Sequence, residues 1–118
     1  TLHVPLTPLT SGMIDAKALS HFKPTGILVN TSRGPVVQAD ALARALTEGK
    51  LAGAAIDVFE PEPPPPGHPL FSAPNCVLTP HVASRTREGL AAMNDVVDDI
   101  VAVLQGREPM YPVDPANC

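Results

Sequence analysis

The spacing of apolar positions changes several times along the chain, and each change predicts an element. Residues 2–6, LHVPL, read as a short extended run stopped by the turn-forming TPLT. Asp15 is placed to cap a helix over 16–22 that KPTG ends. GILVN, residues 26–30, is a continuous apolar run of the kind a strand buried on both faces needs. A helix over 39–48 sets Leu42, Ala45 and Leu46 on one face and stops at Gly49. AGAAIDVF, residues 52–59, and CVLTP, residues 76–80, repeat the buried-strand pattern. The last periodic stretch, 87–105, predicts one long amphipathic helix. Its apolar face carries Leu90, Met93, Val97, Ile100, Val101 and Leu104; Asp95, Asp98 and Asp99 lie opposite, and Gly106 ends it.

Strands alternating with helices imply right-handed crossovers, and so an α/β fold with a parallel sheet and flanking helices. Loops leaving parallel strands emerge on one edge of the sheet, which is where such folds bind ligands. The segments that follow the predicted strands are TSRGP, DVFEPEP and HVAS. They place Arg33, Asp57 with Glu60 and Glu62, and His81 on a common rim.

Composition narrows the partners. A formal net charge of −4, only 3% aromatic residues and scattered Lys and Arg offer neither a basic stripe nor a stacking platform, so nucleic acid is not expected. No apolar run approaches the ~18 residues a spanning helix needs, and the N-terminal residues lack a signal-peptide layout, so a cytoplasmic protein away from membranes is expected. Cys76 in a strand-like run and the terminal Cys118 form no metal-ligand or redox spacing and read as structural. The chain opens TLHVPLT, already inside an extended run and without Met. This suggests the second half of something larger: residues 1–105 as part of a domain and 106–118 as a tail.

The rim has a chemical reading. Reduction of a 2-keto acid needs a bidentate donor for the substrate carboxylate and keto oxygen, a proton donor, and a hydride source that no side chain can be. Arg33 suits the first role and His81 the second. A carboxylate beside the imidazole would fix its tautomer and favour its charged form. Glu60 and Glu62, on a loop stiffened by prolines, are both candidates.

The strings LHVPLTPLTSGMI, ILVNTSRGPVV, AGAAIDVFEPEP and NCVLTPHVAS resemble, in order and spacing, the second half of the nucleotide-binding domain of the D-isomer-specific 2-hydroxyacid dehydrogenases. The resemblance spans nearly the whole chain and implies a Rossmann-like half-domain using NAD or NADP. It leans to the glyoxylate/hydroxypyruvate reductase or phosphoglycerate dehydrogenase branches. It puts the substrate-binding arginine on Arg33 and the acid/base on His81. The histidine's partner falls five residues beyond Asp57, on Glu62 rather than Glu60. It also implies that Asp57 approaches the nicotinamide carboxamide and that His3, Val4, Pro5, Thr10, Thr31 and Ala83 line the cofactor. A homodimer is expected of the intact protein.

Departures from the family pattern matter too. Gln38 stands where an aspartate helix cap is common, at a cost of at most about 1 kcal/mol. No G-x-G-x-x-G occurs in these residues, nor the residue beyond it that distinguishes NAD from NADP. The isolated 118 residues are therefore expected not to turn over. The competing classes are a dinucleotide-sensing binding protein similar to the corepressors that resemble this family, and an inactive remnant. Among the remaining features, His21 and His68 read as exposed, Glu60 as a surface acid, and Pro63 to Pro66 as a rigid spacer rather than a polyproline ligand.

Overall fold

The computed structural model describes residues 1–113. Cys118 and the end of the expected tail lie outside the described residues. The chain divides into two compact units, Thr1–His81 and a second that begins at Val82; each is described by itself.

The first unit is built on three parallel strands in the order β1 (Ile27–Asn30), β2 (Gly53–Ile56), β3 (Cys76–Leu78). These lie inside the expected apolar runs, and the parallel α/β arrangement is the one expected. Residues 2–6 contribute one bridge, in which the Leu2 N–H donates to Val29 O at 3.0 Å alongside β1. Pro5 and Pro8 have no N–H with which to continue a ladder, and the chain instead folds into a turn in which Thr10 Oγ1 donates to Pro5 O at 2.7 Å.

Two helices precede and follow β1. α1 (Ala16–Leu19) begins where Asp15 Oδ1 accepts from the Ala18 N–H at 2.7 Å. It is shorter than expected because it tightens at Ser20 to Phe22 into three-residue hydrogen bonds. α2 (Ala39–Thr47) starts at Gln38 without a side-chain cap, and Gly49 follows its end at φ +67°, a left-handed conformation that favours glycine. Its apolar face, Ala41, Leu42, Ala45 and Leu46, is buried with Leu19, Leu28, Leu51, Ile56 and Leu70 in one core. That core fixes the sheet from which the rim loops project.

In the second unit the single expected helix is two: α3 (Arg87–Met93) and α4 (Asp95–Leu104). At the junction Asn94 donates its N–H to Ala91 O at 3.0 Å, and its carbonyl accepts from the Val97 N–H at 3.0 Å, a three-residue spacing on both sides. Asparagine is a poor interior helix former, and the ladder tightens there. Most apolar side chains of both helices are exposed, among them Leu90, Met93, Val97, Ile100 and Leu104, whereas Ala102 is buried. No helix among the described residues is long and apolar enough to cross a membrane.

Candidate active site

The strand register aligns the rim. Asn30 pairs with Ile56, and Ile56 with Leu78, so the three strands end in one row. The row continues one step into the loops. Asp57 N–H donates to Asn30 O and Thr79 N–H to Ile56 O, both at 3.0 Å, and His81 N–H donates to Asp57 O at 2.8 Å. Three loops far apart in sequence thereby leave the sheet side by side.

Asn30, buried at the end of β1, shapes the first loop. Its Oδ1 accepts from the Ser32 N–H at 3.1 Å and from Ser32 Oγ at 2.9 Å, while its Nδ2 donates to Arg33 O at 3.0 Å. The arginine backbone is thus held from below and its side chain is exposed, with Nη1 donating to Ser32 O at 2.7 Å. The next residue packs against the second loop: a Cβ on Gly34 would lie 2.2 Å from both C and O of Phe59. Only glycine permits that approach.

On the second loop the structure separates the two acids. Glu60 is exposed, whereas Glu62 Oε1 accepts from the Phe59 N–H at 2.8 Å and Oε2 meets His81 Nδ1 at 2.8 Å. The hydrogen bond from His81, then that from the Phe59 peptide, hold the Glu62 carboxyl below its ordinary pKa; the positive Arg33 adds a smaller effect in the same direction. An ionised carboxylate can only accept, so Nδ1 carries the proton and Nε2 is left to exchange one with a ligand. Phe59, Phe71, Leu78, Pro63 and Pro80 wall a cavity of about 370 Å³ beside this pair.

The third loop is unusual in its backbone. His81 has φ +54°, a left-handed conformation that non-glycine residues rarely adopt. Beneath it, Asp57 is 3% exposed and its Oδ1 accepts from Thr79 Oγ1 at 2.5 Å.

Of the residues expected to line a cofactor, His3, Val4, Pro5 and Thr31 border one groove of about 470 Å³ together with Ser32 and Arg33. Extended backbone, a threonine hydroxyl and a guanidinium on one groove suit the polar carboxamide end of a dinucleotide. Thr10 is used inside the turn described above, and Ala83 belongs to the second unit. Asp57 lies beneath the strand-end row rather than on that groove.

Sequence reasoning passed over Asn30, Gly34, Phe59 and Thr79 as individuals. All four stood inside the quoted motifs, which were the one signal available for them. His68 departs from expectation, being 6% exposed rather than solvated. Its Nδ1 accepts from the Leu70 N–H at 3.4 Å, and its ring lies edge-on to Phe59 with centroids 5.5 Å apart. The imidazole therefore packs under the loop that carries Glu62. Cys76 is half-buried, and burial pushes its thiol pKa up, as suits an inert structural cysteine.

Comparison with known proteins follows the same lines. Residues 1–83 match the family described as D-isomer specific 2-hydroxyacid dehydrogenase, NAD binding domain. A glyoxylate reductase of Thermofilum pendens is 49% identical over 110 residues, which are 92% of this chain and 32% of that protein. A solved structure from Thermus thermophilus superposes with a TM-score of 0.83 at 47% identity, covering 96% of this chain and 36% of the other. The NADPH-dependent glyoxylate/hydroxypyruvate reductase of Sinorhizobium meliloti, solved with NADP and malonate, gives 0.82 at 43%, covering 93% and 34%. The chain spans about a third of the length of these relatives. With its match over most of its length, its parallel strand order and its aligned rim, the chain belongs to the D-isomer specific 2-hydroxyacid dehydrogenase family.

Proposed function

We propose that the protein carrying this chain is an NAD(P)-dependent oxidoreductase that interconverts a small 2-keto acid, glyoxylate or hydroxypyruvate, and the corresponding 2-hydroxy acid. The observation that carries this reading is the 2.8 Å contact of His81 Nδ1 with the ionised Glu62, on the rim that also bears Arg33. The names of the similar reductases favour glyoxylate and hydroxypyruvate within the class.

In the reductive direction Arg33 binds the substrate carboxylate and keto oxygen through its guanidinium fork. His81 Nε2–H donates a proton to that oxygen as negative charge develops on it, and Glu62 stabilises the imidazolium from the Nδ1 side. The nicotinamide cofactor would supply the hydride when bound, with His3, Val4, Pro5 and Thr31, which border one groove, as its contacts on the first unit. In oxidation His81 Nε2 accepts the hydroxyl proton. The exposed apolar residues of α3 and α4 support a homodimer or further packing in the intact protein.

The test is steady-state oxidation of NADH and NADPH by the full polypeptide carrying these residues, with glyoxylate and hydroxypyruvate. The expected result is turnover that Arg33→Ala weakens chiefly through KM and that His81→Asn lowers by roughly 10²–10⁴-fold. Absence of turnover with either cofactor, or an unimpaired His81→Asn, overturns the assignment.

A further inference from the structure

We propose that Thr79 is a positioning residue for His81, fixing through Asp57 the left-handed backbone from which the imidazole reaches Glu62. This rests on the reductase reading above. Three observations carry it. First, β3 ends at Leu78, yet Thr79 N–H still donates to Ile56 O at 3.0 Å, and His81 N–H donates to Asp57 O at 2.8 Å. Pro80 between them has no N–H, so these are the two backbone donors by which residues 79–81 are tied to the end of β2.

Second, Thr79 Oγ1 donates to Asp57 Oδ1 at 2.5 Å, a contact between residues 22 positions apart, and Asp57 is buried. Asp57 is itself anchored by its N–H on Asn30 O at 3.0 Å. The same aspartate thus holds the loop through its carbonyl at His81 and through its carboxylate at Thr79. Third, His81 sits at φ +54°, and a non-glycine residue stays in that region only when its surroundings over-determine it. Loss of the hydroxyl removes the contact between the carboxylate and Thr79. The backbone at residues 79–81 can then relax towards extended geometry, turning the ring away from Glu62.

The experiment compares Thr79→Val, Thr79→Ala and Thr79→Ser in the full polypeptide. Valine keeps the shape without the donor, alanine cannot overpack, and serine keeps the hydroxyl. The expected result for valine and alanine is a kcat lowered roughly tenfold to a hundredfold, with the KM for glyoxylate within about twofold and the pH profile of kcat displaced. Serine restores kcat and the profile to near wild type.

The imidazole ¹⁵N shifts of His81 give a second readout that needs no turnover. The Nδ1-protonated form dominates in wild type and in the serine variant, and mixes with the other tautomer in valine and alanine. A wild-type protein without turnover sinks the reductase reading, and the ring shifts then decide the role of Thr79. Valine and alanine variants with wild-type kcat, pH profile or ring shifts overturn the proposal, as does a serine variant as impaired as valine.

Discussion

Replacing Gly34 with alanine tests whether Arg33 and the Glu62–His81 pair are held as one rim. The added Cβ would sit 2.2 Å from both C and O of Phe59 and 2.8 Å from Glu60 N. Ordinary non-bonded contacts lie near 3.5 Å, so the two loops must separate by about 1 Å. No rotamer change relieves the clash, because the atoms met are backbone. The peptide that is pushed, Phe59–Glu60, follows directly on the Phe59 N–H that holds Glu62 Oε1 at 2.8 Å, so displacement of the Phe59 backbone reaches the carboxylate. A misplacement of about 1 Å at a catalytic group costs on the order of 10²-fold, or roughly 2–3 kcal/mol of transition-state stabilisation. Overpacking adds about 1–3 kcal/mol of destabilisation. The assay is kcat/KM for glyoxylate reduction by wild type and G34A, with thermal unfolding recorded in parallel to establish that the variant is folded. A folded G34A within about threefold of wild-type kcat/KM would refute the claim that this contact sets the rim.

Other consequences can be measured on the same protein. Asn30→Ala removes three hydrogen bonds from a buried site and should lower stability by roughly 2–4 kcal/mol in urea titration; Asn30→Asp keeps the two contacts to Ser32 but sets an oxygen against Arg33 O, and should impair kcat/KM more than its stability loss explains. Glu62→Gln should lower kcat by roughly tenfold to a hundredfold, because the amide cannot stabilise an imidazolium. Since the folded Glu62 pKa lies below its ordinary value of 4.5, the stability this carboxylate contributes is present above about that pH and is lost as pH falls through the lower folded value. The wild-type advantage over Glu62→Gln in urea midpoint should therefore shrink below pH 4.5, and a constant advantage down to acid unfolding would contradict the pairing. Leu42→Ala, at a fully buried position of α2, should cost about 2–5 kcal/mol by chemical denaturation without changing the pH dependence of kcat.

Local rules were legible wherever the cause was local. Asp15 caps α1 because its carboxylate needs only the Ala18 N–H three residues on, and Gly49 closes α2 because its backbone must turn left-handed there. Apolar runs located all three strands, though each strand is shorter than the run that predicted it. The helix over 87–105 failed at Asn94, where a single tightened turn divides it while leaving the apolar period intact.

The α/β class and the placement of Arg33, Asp57, the two glutamates and His81 after strands were legible in chain order, since alternation of period and the residues beyond each run are properties of that order. With the family resemblance the sequence also chose Glu62 over Glu60. Tertiary structure alone decided what those residues touch. Glu62 and His81 are 19 positions apart and Thr79 and Asp57 are 22 apart, so their meeting depends on strand register and on the path of a loop. The close passage of Gly34 under Phe59 and the burial of His68 beside that ring are likewise settled by packing between loops. Periodicity reports which face of an element is buried; it carries no information about which distant backbone will press against it.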